Sequence, residues 1–86
     1  MDEGQVVYSF RRNQDEEVRF TVRAYKQRGY LDIRIWFQPS DGGEYRPARK
    51  GITLGLEHLL ELKKGLEQAG KAAVEMPLHK ASNSVK

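Results

Sequence analysis

The chain has no cysteine among its 86 residues, only three prolines, two histidines and a single tryptophan. Without cysteine there is no disulfide staple, no thiolate zinc site and no cysteine nucleophile. His58 and His79 each stand without a second imidazole nearby in sequence, so no metal site and no cofactor are expected. Ser9, Ser40, Ser82 and Ser84 sit in no nucleophile-elbow pattern, and Gly42-Gly43 lacks the spacing of a phosphate loop. The expectation is a protein that is not an enzyme. No apolar run approaches the roughly 18 to 20 residues of a membrane span. The opening Met1-Asp2-Glu3-Gly4 is acidic where a secretory signal is basic and then apolar. A soluble intracellular protein with no membrane partner is the reading.

Stabilising material is also scarce. A chain of this length forms one small domain and buries only roughly 60 to 65% of its unfolded surface. With no staple available, regular packing or oligomerisation must supply the rest, and an oligomer is expected.

What is present is unevenly placed. The net charge is +3, a weak sign of a polyanionic partner taken alone. From Arg19 to Lys50, however, eight basic residues face three acidic ones, a surplus of five, while the rest of the chain is net negative by two. Most of that surplus is arginine, the side chain suited to phosphate forks and to stacking.

Two periodicities divide the chain. Within Gln5 to Phe10, Val6, Tyr8 and Phe10 alternate with Val7 and Ser9, the period of a short strand. Glu17 to Tyr25 sets Val18, Phe20, Val22 and Ala24 against Arg19, Thr21, Arg23 and Tyr25. Lys26-Gln27-Arg28-Gly29 makes a tight connection in which Gly29 is free to take positive φ. Tyr30 to Phe37 then sets Leu31, Ile33, Ile35 and Phe37 against Tyr30, Asp32, Arg34 and Trp36. After the turn formers Gln38 to Gly43, Glu44 to Leu54 reads as an edge or bulged strand, because Pro47 and Gly51 interrupt it.

From Leu56 the period becomes helical, with Thr53 a candidate N-cap and Gly70 a candidate stop. Leu59, Leu62, Leu66 and Ala69 step by three and four, which fits either a roof over a sheet or a seam against a second helix. Residues 1–70 are read as the domain, and 71–86 as a fraying helix end and a disordered tail.

The richest constellation is the polar side of the two central strands, where Arg19, Arg23 and Tyr25 meet Tyr30, Arg34 and Trp36. Planar rings beside cations can hold unpaired bases by stacking and phosphates by charge. The same side chains also suit an ordinary sheet or a dimer face. Lys26, Arg28, Arg46, Arg49 and Lys50 flank the aromatics and favour the nucleic-acid reading. Arg28-Gly29-Tyr30 begins like the aromatic motif of RNA-recognition domains, but Leu31 and Asp32 depart from it.

Val18 to Tyr25, Leu31-Asp32-Ile33-Arg34 with its following aromatics, a Pro/Asp/Gly turn, the run Arg46 to Leu54 (RPARKGITL) and a Leu-rich helix occur in that order. Together they resemble the transcriptional positive-cofactor-four family over about Val18 to Gln68. The resemblance implies an α+β fold, a curved four-stranded antiparallel sheet followed by one C-terminal helix (ββββα), dimerising through the helices by way of Leu59, Leu62, Leu66 and Ala69. It implies single-stranded DNA held by Arg23, Tyr25, Lys26, Arg28, Arg34, Phe37, Arg46, Arg49 and Lys50. Phe37 takes the place of the family tryptophan and Trp36 sits one position earlier, so either ring is the stacker. Asp15-Glu16-Glu17 departs from the more basic run often found there. The compact form, without a Ser-rich acidic arm, resembles the bacterial members.

The expected function is sequence-tolerant single-stranded DNA binding by a homodimer, in transcription regulation or genome maintenance. RNA binding and docking of a transcription factor or polymerase are the alternatives. The location expected is the cytoplasm, with the nucleoid, in a bacterium, or the nucleus in a eukaryote.

Overall fold

The computed structural model describes residues 3–77. Four strands, β1 (Glu3–Arg11), β2 (Glu16–Tyr25), β3 (Arg28–Phe37) and β4 (Arg46–Gly55), precede a 3-10 turn at Leu56–His58 and one helix, α1 (Leu59–Glu75). Each strand pairs antiparallel with the next, giving one open, curved sheet with β1 and β4 at its edges. The ββββα expectation holds. The chain divides after Leu56 into two compact units, one holding the sheet and the other α1.

The alternating sequence sets the sheet's two sides. β2 and β3 pair without a break from Glu16↔Phe37 to Tyr25↔Arg28, so Val18, Phe20 and Val22 lie opposite Ile35, Ile33 and Leu31 on one side. β1 joins that side with Tyr8 opposite Phe20 and Phe10 opposite Val18. The three rings stand 5.9 to 6.4 Å apart between centroids. Of this apolar side only Leu31 is buried, whereas Tyr8 is 62% and Phe10 48% exposed. The other buried residues among those described are polar, Thr21 and Asp32, a cross-strand pair at the centre of the opposite side.

The β2–β3 hairpin departs from expectation in an informative way. Lys26 and Gln27 take the left-handed conformation, with φ of 51° and 65°, as a two-residue primed turn demands. Gly29 is not needed for positive φ. It lies in β3, where a Cβ would collide with the Leu56 side chain, so its role is to make room.

β4 is both an edge strand and bulged, in line with its interrupted sequence. It begins at Arg46 rather than Glu44. Thr53 is no helix cap. It sits in β4 opposite Asp32, and its hydroxyl is engaged there.

α1 begins after the 3-10 turn, with His58 at the N-cap making no side-chain capping bond. The helix runs through Gly70 to Glu75. Gly70 ends nothing because one glycine costs only about 1 kcal/mol, which its helix-forming neighbours offset. No residue of α1 is buried, and Leu59, Leu60 and Leu66 are 43%, 62% and 61% exposed. The expected tail lies, from residue 78 onward, outside the described residues. Among the described residues no helix is long and apolar enough to cross a membrane.

Candidate nucleic-acid interface

The polar side of the sheet carries Arg23, Tyr25, Arg28, Arg34 and Trp36 among the residues that the sequence singles out. Along β2 it presents Glu17, Arg19, Thr21, Arg23 and Tyr25, opposite Trp36, Arg34, Asp32, Tyr30 and Arg28 of β3. Three zones can be told apart by what their charged groups touch.

At the hairpin end, Tyr25 is 47% exposed and the Lys26 ammonium stands 5.4 Å from its ring centroid. Arg28 is exposed across the ladder from Tyr25, and Arg23 is half-buried one pair further in. A ring with an open surface, beside cations on a two-residue turn, can accept a stacked base and its phosphate together.

The centre is a closed polar network. Asp32 accepts from Arg34 through both oxygens, Nε at 3.1 Å and Nη2 at 2.8 Å, and from the Thr53 hydroxyl at 2.8 Å. Burial alone would raise the Asp32 carboxyl. The bonds from Arg34 and Thr53, with the positive charges of Arg34 and Arg23, outweigh it and hold the carboxyl below its ordinary value. Arg34 is held protonated the more firmly by its bond to Asp32. Its Nη1 also donates to the carbonyls of Ala48 and Arg49, at 3.1 and 3.2 Å.

At the far end, Trp36 does not lie open. The Arg19 guanidinium sits 4.4 Å from its ring centroid and 5.4 Å from that of Tyr45, while Arg19 Nε donates to Glu17 at 2.9 Å. The Trp36 indole N–H is buried without a hydrogen-bond partner. Phe37, the other candidate stacker, falls by strand alternation on the apolar side, paired with Glu16 and Arg46. The exposed cations Arg49 and Lys50 belong to the β4 bulge and Arg46 to the start of that strand.

Residues 12–65, well over half of the chain, match the family described as Transcriptional Coactivator p15 (PC4). The chain belongs to the PC4 family. Among solved structures it is similar to BPSL1147, a PC4 homolog from Burkholderia pseudomallei K96243. In the orthorhombic crystal form identity is 28% and TM-score 0.70, over 78% of this chain and 89% of that one. In the tetragonal form identity is again 28% and TM-score 0.71, over 79% and 98%. A bacteriophage T5 homolog of the eukaryotic coactivator PC4, implicated in recombination-dependent DNA replication, shares the fold at 23% identity and TM-score 0.53, over 95% of this chain and 89% of that one. No curated protein matches the sequence.

The PC4 match spans the hairpin cations and the β4 bulge; Leu66 and Ala69 of α1 lie beyond it. Asp32, Thr53, Glu17 and Tyr45 were not among the residues assigned to the interface from sequence. For Asp32 and Arg34 a signal existed, since residues two apart on a strand share a side. Tyr45 precedes β4 in an irregular segment, and no periodicity points to it.

Proposed function

We propose that this PC4-family chain binds single-stranded nucleic acid, DNA in the first place, as a non-enzymatic homodimer acting in transcription regulation or genome maintenance. The observation that carries the reading is the exposed Tyr25 ring beside Lys26, Arg28 and Arg23 on the polar side of an open sheet, with the exposed cations Arg49 and Lys50 in the bulge of β4. Cations draw in the strand, and an unpaired base stacks on the open ring; a duplex keeps its bases inside and cannot use it. Arg49 and Lys50 extend the phosphate track in this reading, whereas Arg46, across the ladder from Phe37, falls by alternation on the other side.

A second copy is part of the proposal. The apolar side of the sheet and the seam residues Leu59, Leu62, Leu66 and Ala69 expose surface that is stabilising only when covered, at about 25 cal/mol per Å². A light-scattering mass of twice 9.9 kDa is expected; a stable monomer contradicts it.

The binding test is a titration of labelled oligo-dT against a duplex of equal length at rising salt. Preference for the single strand, with affinity falling steeply as salt rises, is expected. Equal affinity for duplex sinks the reading. Competition by a matched RNA oligonucleotide decides between the two nucleic acids, since stacking does not sense the 2′-hydroxyl.

A further inference from the structure

The β4 bulge interrupts the ladder just where two of the exposed cations stand. Arg34 pairs with Gly51 and Trp36 with Pro47, so Ala48, Arg49 and Lys50 face Ile35 alone. Backbone carbonyls taken out of a ladder need other donors. Here the Arg34 guanidinium supplies them, to Ala48 at 3.1 Å and Arg49 at 3.2 Å. The remaining edge of the same guanidinium is held by Asp32, and Thr53 braces that carboxylate from β4. Gly51 completes the arrangement, because a Cβ there would stand 2.8 Å from the Ile33 carbonyl oxygen and 3.0 Å from Arg34 Cβ and Cγ. The aliphatic stem of Arg34 therefore passes over a position that only glycine leaves clear. Two strands are tied at one point, and the segment tied down is the one that bears Arg49 and Lys50.

We infer that Asp32, Arg34, Gly51 and Thr53 form a clasp that aims Arg49 and Lys50 at the bound strand, with Asp32 and Arg34 as positioning residues rather than phosphate ligands. The inference rests on the single-stranded binding proposed above. It assigns an acidic residue a supporting role in capturing a polyanion. An arginine whose donors go to a carboxylate and two carbonyls has little left to offer a phosphate. An unclasped bulge would let both neighbouring cations swing away from a fixed track and forfeit their preorganisation.

The sign of one substitution separates the clasp from plain electrostatics. Asp32→Asn removes a negative charge from a basic surface, so charge alone predicts tighter binding of oligo-dT. The clasp predicts weaker binding, by about tenfold near physiological salt, with the slope of log affinity against log salt shallower by about 1.4, the equivalent of two phosphate contacts on a single strand. Full-length wild type, Asp32→Asn, Thr53→Val and Thr53→Ser are titrated with labelled oligo-dT over a salt series, with circular-dichroism melts to establish that each is folded. Thr53→Val is expected to shift affinity and slope in the same direction, and Thr53→Ser, which keeps the hydroxyl, to recover them. Equal or tighter binding by Asp32→Asn, or weaker binding with an unchanged slope, overturns the clasp. Should Asp32→Asn fail to fold, Thr53→Val against Thr53→Ser decides, and equal slopes overturn it. If wild type itself does not bind oligo-dT, the parent reading falls instead, so the two failures are distinct.

Discussion

The two ends of the sheet's polar side use the same residue types for opposite ends. At the hairpin, Tyr25 lies open and its neighbouring Lys26 and Arg28 are exposed. Toward the bulge, Trp36 is covered by Arg19, Arg19 is bound by Glu17, and Arg34 is spent on Asp32, Thr53 and two carbonyls. The difference follows from the carboxylates. Glu17 and Asp32 each stand two residues before an arginine on the same strand, and so on the same side, within reach of its guanidinium. Tyr25 and Arg28 have no acidic residue two positions away on their strands. An arginine next to an aromatic is thus a binding group or a structural one according to whether a carboxylate claims it first.

Breaking the claimed end should have the largest effect. Arg34→Ala takes the ion-pair partner from the buried Asp32 carboxylate, and a loss of about 3 kcal/mol is expected in urea unfolding. Arg28→Ala, at the open end, should stay within about 0.5 kcal/mol. Equal losses at the two positions would collapse the contrast. The acid limb of stability tests the same network. Asp32 titrates below its ordinary 3.8 in the folded chain, so its contribution is complete above that value and is lost as pH falls through the lower folded one. Asp32→Asn should remove this share of the acid sensitivity, measured as unfolding free energy against pH.

Binding should respond in the reverse order of ends. Tyr25→Ala is expected to weaken oligo-dT by about 1 to 3 kcal/mol, the worth of a stacked base. Arg19→Ala should cost less in affinity but uncover Trp36, read as increased quenching of its fluorescence by acrylamide. An unchanged quenching constant would show that Arg19 does not cover the ring. The smallest expected effect is at the turn, where Gln27→Gly relieves a left-handed non-glycine residue and should raise stability by about 1 kcal/mol. A lower Tm for Gln27→Gly would contradict that account.

Much of this fold was legible because β2 and β3 alternate cleanly over ten residues each. Their unbroken pairing then makes the side of every residue a matter of counting. The bulge too was foreseeable in outline, since Pro47 cannot donate to a ladder and Gly51 seldom strengthens one. What escaped was the use of each side chain. Local sequence suits Gly29 to a left-handed turn position, yet it serves as space for Leu56. Local sequence suits Thr53 to a helix cap, yet it serves as a brace for Asp32. In both cases the partner lies more than twenty residues away in the chain, beyond the reach of local patterning.

By itself the sequence determined the order of elements, the two-sided character of the sheet and the concentration of positive charge beside aromatics, because periodicity and composition are local properties. Only the tertiary structure decided which arginines are already engaged and which aromatic is open. Those outcomes depend on cross-strand register and on the few ångströms between a guanidinium and the carboxylate or ring nearest to it.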